Sequence, residues 1–284
     1  MKTAGEACSG RESSCAFKLQ WGGIGPLPVH GMPAVGSRAM HSAAPAQPRW
    51  HAVADERALQ QAALEAILTS AAQAIAARGR FHIVLAGGNT PRAVYQRLRT
   101  ASTDWSAWHI YFGDERCLPA DDPARNSRMA ADAWLDQVSI PTAQVHAIAG
   151  ESGAVQAARS YAEVLHDVGE FDLVLLGLGE DGHTASLFPG REWGSASGSP
   201  DTLAVFDAPK PPPRRVSLSA ARLARARQVL FLVGGDAKHR AVADWRAGKD
   251  IPARAVRPAA GVDVLLESGL LVSGGRRLNV VGSS

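Results

Sequence analysis

Apolar and polar positions along this chain switch repeatedly between a helical and a strand period. From Asp55 to about Arg78, Leu59, Ala62, Ala63, Ala66, Ile67 and Ile75 recur on one side of an Ala-rich segment, and Gly79 stands where a helix would stop. A strand is predicted at Phe81 to Ala86. It is followed by a Gly-Gly-Asn-Thr-Pro turn and a helix from Pro91 to about Leu98, with Thr90 suited to cap it and proline favoured in the first turn. The pattern continues with a strand at His109 to Phe112, an Asp-Glu-Arg loop, and a helix from about Asn126 to Leu135. A short strand near Val145 to Ile148, a helix from about Ala154 to Val168 and a strand at Asp172 to Leu178 come next. Beyond them a Pro-rich hinge at Pro209 to Pro213 leads to Arg215-Val-Ser-Leu-Ser and a strand at Gln228 to Val233. Gly234-Gly-Asp-Ala-Lys238 then opens another helix.

Leu173 to Leu178 is apolar on both alternating faces, as a central strand covered on both sides requires. Strands alternating with helices need crossover connections, so the fold class is α/β, a single Rossmann-like domain whose mostly parallel sheet carries helices on both faces. Residues 1–48 are rich in Gly, Pro, Ser and Ala without sustained periodicity and are read as a disordered N-terminal extension, with Met32 and Met40 as alternative starts. The α/β domain is placed at 49–272 and a C-terminal tail at 273–284.

With 30 Lys and Arg against 27 Asp and Glu the net charge is +3, scattered rather than massed, which argues against nucleic acid as the main partner and fits a local anion pocket. No apolar run approaches the roughly 18 to 20 residues that cross a bilayer, so no membrane partner is expected. Cys8, Cys15 and Cys117 are odd in number and lack C-x-x-C spacing, which disfavours a disulfide framework or zinc site and points to a cytoplasmic setting. Cys117 is read as a packing thiol rather than a nucleophile.

The candidate chemistry lies at strand ends. Gly177, Gly179 and Gly182 release the backbone after the central strand and place Asp181 and His183 at its carboxyl end, where open α/β sheets bind ligands. Gly87-Gly88-Asn89-Thr90 joins a strand to a helix N-terminus, a ready anion site, although a plain tight turn would explain it equally well. Asp114, Glu115 and Arg116 follow a strand in the same way, with Arg116 as a fork-shaped donor for phosphate or a developing oxyanion. Lys238 is a further candidate at this edge. The nine histidines show no H-x-x-x-H spacing and there is no Gly-x-Ser-x-Gly elbow, which leaves water activated by His183 as the nucleophile and no metal.

Leu85-Ala-Gly-Gly-Asn-Thr-Pro91, Asp114-Glu-Arg-Cys-Leu-Pro119, Gly177 through Gly190, Pro213-Arg-Arg-Val-Ser-Leu and Gly234-Gly-Asp-Ala-Lys238 together resemble the 6-phosphogluconolactonase family, in order and at similar separations over roughly residues 50 to 270. The resemblance implies hydrolysis of 6-phospho-D-glucono-1,5-lactone to 6-phosphogluconate, the second step of the oxidative pentose phosphate pathway, without cofactor. It implies His183 as base with Asp181 beside it and Arg116 in a catalytic role. Gly87, Gly88, Asn89, Thr90, Asp114, Glu115, Asn126, Arg215 and Lys238 are implied to bind substrate or its phosphate. The partners it implies are the lactone itself and functional pairing with glucose-6-phosphate dehydrogenase, in a monomer or weak dimer. Asn89 and Arg125 stand where serines are common in the family, and Val262 to Leu271, where the resemblance places the last helix, lacks a Trp often found there. The alternatives are glucosamine-6-phosphate deaminase/isomerase, whose related signature has a carboxylate where this chain has Phe188, and a non-catalytic sugar-phosphate sensor.

Overall fold

The computed structural model describes residues 47–271; most of the expected extension over 1–48, and the tail over 273–284, lie outside the described residues. In chain order the elements are β1 (Arg49–Val53), α1 (Glu56–Arg78), β2 (Phe81–Leu85), α2 (Asn89–Leu98), β3 (Trp108–Phe112), β4 (Asp114–Arg116), α3 (Asn126–Ala133), β5 (Val145–His146) and α4 (Ala154–Leu165). They continue with β6 (Phe171–Gly177), β7 (Thr202–Val205), β8 (Arg215–Leu218), α5 (Ala220–Ala224), β9 (Ala226–Val233), α6 (His239–Arg246), α7 (Pro252–Ala255) and β10 (Val262–Glu267).

Seven strands form one sheet in the order β1-β10-β9-β6-β2-β3-β5, with every pairing parallel. The central strand β6 is buried at each position from Phe171 to Leu176, because layers cover both of its faces. α1 starts where the Asp55 side chain accepts the Ala58 N–H at 2.8 Å, and stops where Gly79 takes φ +70° and donates to the Ile75 carbonyl.

Four local expectations are corrected. Thr90 does not cap α2, since the helix already begins at Asn89 with Gly88 in the cap position and no side-chain cap. The Asp-Glu-Arg segment is not a loop. It is β4, the edge of a second, three-stranded antiparallel sheet in the order β4-β8-β7. Its acidic side chains are tolerated in a buried strand because neighbouring donors satisfy both carboxylates. The Pro-rich stretch is the connection of the β7–β8 hairpin rather than a hinge. The expected last helix is β10, whose residues 262 to 266 are buried between β1 and β9, followed by a single 3-10 turn at Ser268–Leu271. β1, an edge strand without a clean alternation, was not anticipated either.

Candidate active site

The strand order runs outward in both directions from the β2–β6 neighbours: β3 and β5 continue on one side, β9 and β10 on the other. At such a reversal the loops leaving the two carboxyl ends diverge and open a crevice. Here the crevice is a cleft of about 310 Å³ between Ala86–Gly88 after β2 and Gly177–Gly179 at the end of β6, with the small antiparallel sheet contributing Asp114, Arg116 and Arg215.

His183 lines this cleft. Its Nδ1 lies 2.5 Å from Asp181 Oδ1, which also accepts the His183 backbone N–H at 3.1 Å. An imidazole nitrogen facing a carboxylate donates to it, which leaves Nε2 with the lone pair. Burial tends to raise the Asp181 carboxyl, but the hydrogen bonds from His183 outweigh it and hold the group below its ordinary value. The ring sits against Gly179: a methyl group there would lie 2.0 Å from His183 Nδ1. Gly182, at φ +86°, turns the chain between the two residues while its carbonyl accepts the Ala253 N–H at 3.1 Å.

A polar knot supports the opposite wall. The fully buried Glu115 accepts the N–H groups of Arg116 (2.8 Å), Asn126 (2.7 Å) and Ser127 (2.8 Å), so its carboxylate caps the N-terminus of α3, which has no side-chain cap of its own. Asn126 donates to Asp114 Oδ1 at 2.8 Å, and Ser186 from the histidine loop donates to Asp114 Oδ2 at 2.6 Å. The Asn126 amide occupies the space a side chain on Gly87 would need, 2.1 Å from the position of such a carbon.

Arg116 and Arg215 face each other across the β4–β8 ladder, and both line the cleft. Backbone carbonyls aim them: Arg116 donates to Ala124, and Arg215 to Lys210 (2.7 Å), Pro212 (3.1 Å) and Pro211 (3.3 Å). Burial lowers the Arg215 pKa, partly offset by Asp114 and reinforced by Arg116. Burial also lowers that of Lys238; Glu180 and Asp181 oppose this and Lys210 adds to it.

Of the residues singled out in the sequence, His183, Arg116, Gly87, Gly88, Asp114, Asn126, Arg215 and Lys238 line the cleft together. Asp181 stands behind His183 and Glu115 beneath the wall, whereas Asn89 and Thr90, at the start of α2, do not line it. Sequence reasoning missed Lys210 and Ser186; Phe188, singled out there only for not being a carboxylate, sets its ring centroid 4.9 Å from that of His183. Lys210 adjoins a proline run, the one signal that its stretch was more than a spacer.

Residues 54–265 match the family model described as glucosamine-6-phosphate isomerases/6-phosphogluconolactonase. The chain belongs to this family. It is 36% identical over 233 residues to a 6-phosphogluconolactonase of Synechocystis, spanning 78% of this chain and 95% of that one. It is 38% identical over 210 residues to the 6-phosphogluconolactonase of Mycobacterium tuberculosis, spanning 69% and 85%. Among solved structures, a 6-phosphogluconolactonase from Trypanosoma brucei superposes with a TM-score of 0.71 at 30% identity, covering 79% of this chain and 97% of that one. The family's fold also extends to a monomeric glucosamine-6-phosphate deaminase, matched at a TM-score of 0.66, 21% identity and 78% and 98% coverage.

Proposed function

We propose that this chain is a 6-phosphogluconolactonase, hydrolysing 6-phospho-D-glucono-1,5-lactone to 6-phospho-D-gluconate in the oxidative pentose phosphate pathway. The observation that carries the reading is the Asp181–His183 pair set in a cleft that also presents Arg116, Lys210, Arg215 and Lys238. An ester-like carbonyl carrying a remote dianion asks for this combination. A base must activate water at one end, and fixed cations must hold phosphate at the other.

In this mechanism His183 Nε2 takes a proton from water as the water oxygen bonds to the lactone C1. The carbonyl π electrons move onto oxygen, and a guanidinium or a backbone N–H of the glycine loops stabilises that oxyanion. Loss of one such donor costs about 2.7 to 4 kcal/mol in other acyl-transfer sites. When the tetrahedral intermediate collapses, the bond from C1 to the ring oxygen breaks and the imidazolium returns its proton to that oxygen. Asp181, kept ionised, holds the ring in the tautomer the first step needs and stabilises its cation. The uncapped start of α2, with Gly87 and Gly88 beneath it, is an additional anion-binding surface.

Phe188 argues against the deaminase reading, because an apolar ring, not a carboxylate, lies against His183. The reading extends to a cytoplasmic setting and to functional pairing with glucose-6-phosphate dehydrogenase, whose product is this lactone.

The test is to generate the lactone freshly with that dehydrogenase and to follow product with 6-phosphogluconate dehydrogenase, with and without the purified chain. A rate far above spontaneous hydrolysis, lost in His183→Ala, is expected. A rate equal to the blank, with folded protein and excess coupling enzymes, overturns the reading.

A further inference from the structure

A second cleft, of about 260 Å³, lies away from the catalytic residues, between the start of β1, the end of α6 and the segment that runs from α7 into β10. Its apolar wall includes Trp50 and Trp245, packed edge to face with centroids 5.5 Å apart, together with Pro258. Among the described residues its charged lining is Arg246, Arg254 and Arg257, with no carboxylate.

None of these three guanidinium groups is ion-paired among the described residues. Each is steered by main-chain carbonyls instead: Arg246 donates to Leu271 at 3.3 Å, Arg254 to Gly248 and to Lys249 (2.8 Å), and Arg257 to Arg254 at 2.9 Å. The nearby carboxylate of Asp244 is engaged by Lys249 at 2.6 Å and Arg240 at 3.8 Å. Three oriented like charges around one concavity repel one another and gain when an anion is placed between them. An indole wall beside them favours a flat ring. The volume is under the roughly 300 Å³ at which pockets for drug-sized ligands begin, so the occupant is compact.

We propose that this cleft is a second ligand site, for a small phosphate ester carrying a planar ring, a nucleoside monophosphate being the simplest. The phosphate lies among the arginines and the ring against the tryptophan and proline wall. The site is separate from the lactone cleft, with which it shares no lining residue. It does not depend on the activity assigned there.

The experiment is calorimetric titration of the full chain with AMP, with inorganic phosphate and adenosine titrated in parallel and a repeat under saturating 6-phosphogluconate. Saturable AMP binding is expected, tighter than either half alone and undiminished by 6-phosphogluconate. The double variant Arg246→Glu/Arg257→Glu alters two exposed side chains. It is expected to weaken AMP binding about tenfold or more while leaving its melting temperature and lactone hydrolysis near wild type. Absence of saturable binding, displacement by 6-phosphogluconate, AMP no tighter than phosphate, or unchanged affinity in the double variant would each overturn the proposal.

Discussion

Oδ1 of Asp181 serves His183 twice, accepting from its backbone N–H at 3.1 Å and facing its Nδ1 at 2.5 Å. One oxygen thereby fixes both where the residue sits and how its ring is turned. Replacing the ring by His183→Ala is expected to lower kcat by about 10² to 10⁴-fold, the usual worth of a positioned general base. Asp181→Asn is expected to lose less, and to lose it in kcat rather than KM, because the base remains but its tautomer is no longer enforced. Steady-state kinetics of both variants checks this. An Asp181→Asn enzyme with wild-type kcat would remove Asp181 from the mechanism.

The pH dependence of Asp181→Asn tests the carboxylate's charge. Burial raises the Asp181 carboxyl, but the hydrogen bonds from His183 outweigh it and hold the group below the ordinary carboxylate range, so it stays ionised at neutral and mildly acid pH. Wild-type activity is therefore expected to show no loss from protonation of Asp181 above about pH 5. A loss of activity in this range that disappears from the pH–rate profile of Asp181→Asn would place Asp181 among the titrating groups.

Gly179→Ala tests how closely the site is packed. The added methyl would meet the imidazole at 2.0 Å, so the ring must leave its position. A misplacement near 1 Å costs about 10²-fold in rate, and forcing a methyl into a packed site costs about 1 to 3 kcal/mol in stability. The expected outcome is a folded, slightly less stable protein with little activity, seen by thermal melting beside the coupled assay.

Lys210 is exposed at the cleft edge, 3.6 Å from Glu180. A surface pair of this kind contributes at most about 1 kcal/mol to stability. Lys210→Ala is expected to raise KM several-fold with kcat nearly unchanged, the signature of uniform binding to the substrate's phosphate. A fall in kcat at constant KM would move Lys210 from phosphate binding to the oxyanion.

Acid sensitivity is expected far from the cleft. His82, His109 and His146 lie side by side on β2, β3 and β5, with ring centroids 4.8 and 6.0 Å apart, and Tyr111 is stacked on His146. Burial first, then the neighbouring His109, pushes His82 down to about 4, with Asp172 opposing and Arg80 adding to the shift; burial likewise lowers His109 and His146. These rings favour the neutral form when folded and take up protons more readily when unfolded. Their stabilisation is complete above about pH 6.5 and is lost as pH falls toward 4. After allowance for partial exposure, His82 accounts for on the order of 1 to 2 kcal/mol. Melting temperatures across this window should decline less steeply in His82→Gln, and an unchanged slope would refute the assignment.

The parallel sheet was legible in the sequence because its central strands are continuous apolar runs such as Phe171–Leu176, separated by helices with their own stop signals. The second sheet was not. β4, β7 and β8 have three or four residues each, too few to show a period, and β4 consists wholly of charged residues. Its burial depends on partners distant in sequence, Asn126, Ser127 and Ser186, which no local pattern announces. β10 was hidden because Asp263 and Glu267 break its apolar residues into runs too short to show a period, and its burial comes from β1 and β9 on either side. The histidine loop was legible, since glycines and two adjacent titratable residues follow the most apolar strand. Lys210 was hidden by a proline run that reads as a spacer.

Among the described residues β1 is bonded in the sheet only to β10, and Arg49 grips Asp263 with a 2.7 Å contact across 214 positions of the chain. The earliest strand of the sheet to leave the ribosome is therefore the last that can be seated. Until residues 262–267 emerge, Arg49 to Val53 have no ladder to join, and Trp50 has no floor against which to form the second cleft. A truncation that removes β10 therefore costs two strands rather than one, leaving the N-terminal one as a loose unpaired strand available to a chaperone or to another copy of itself.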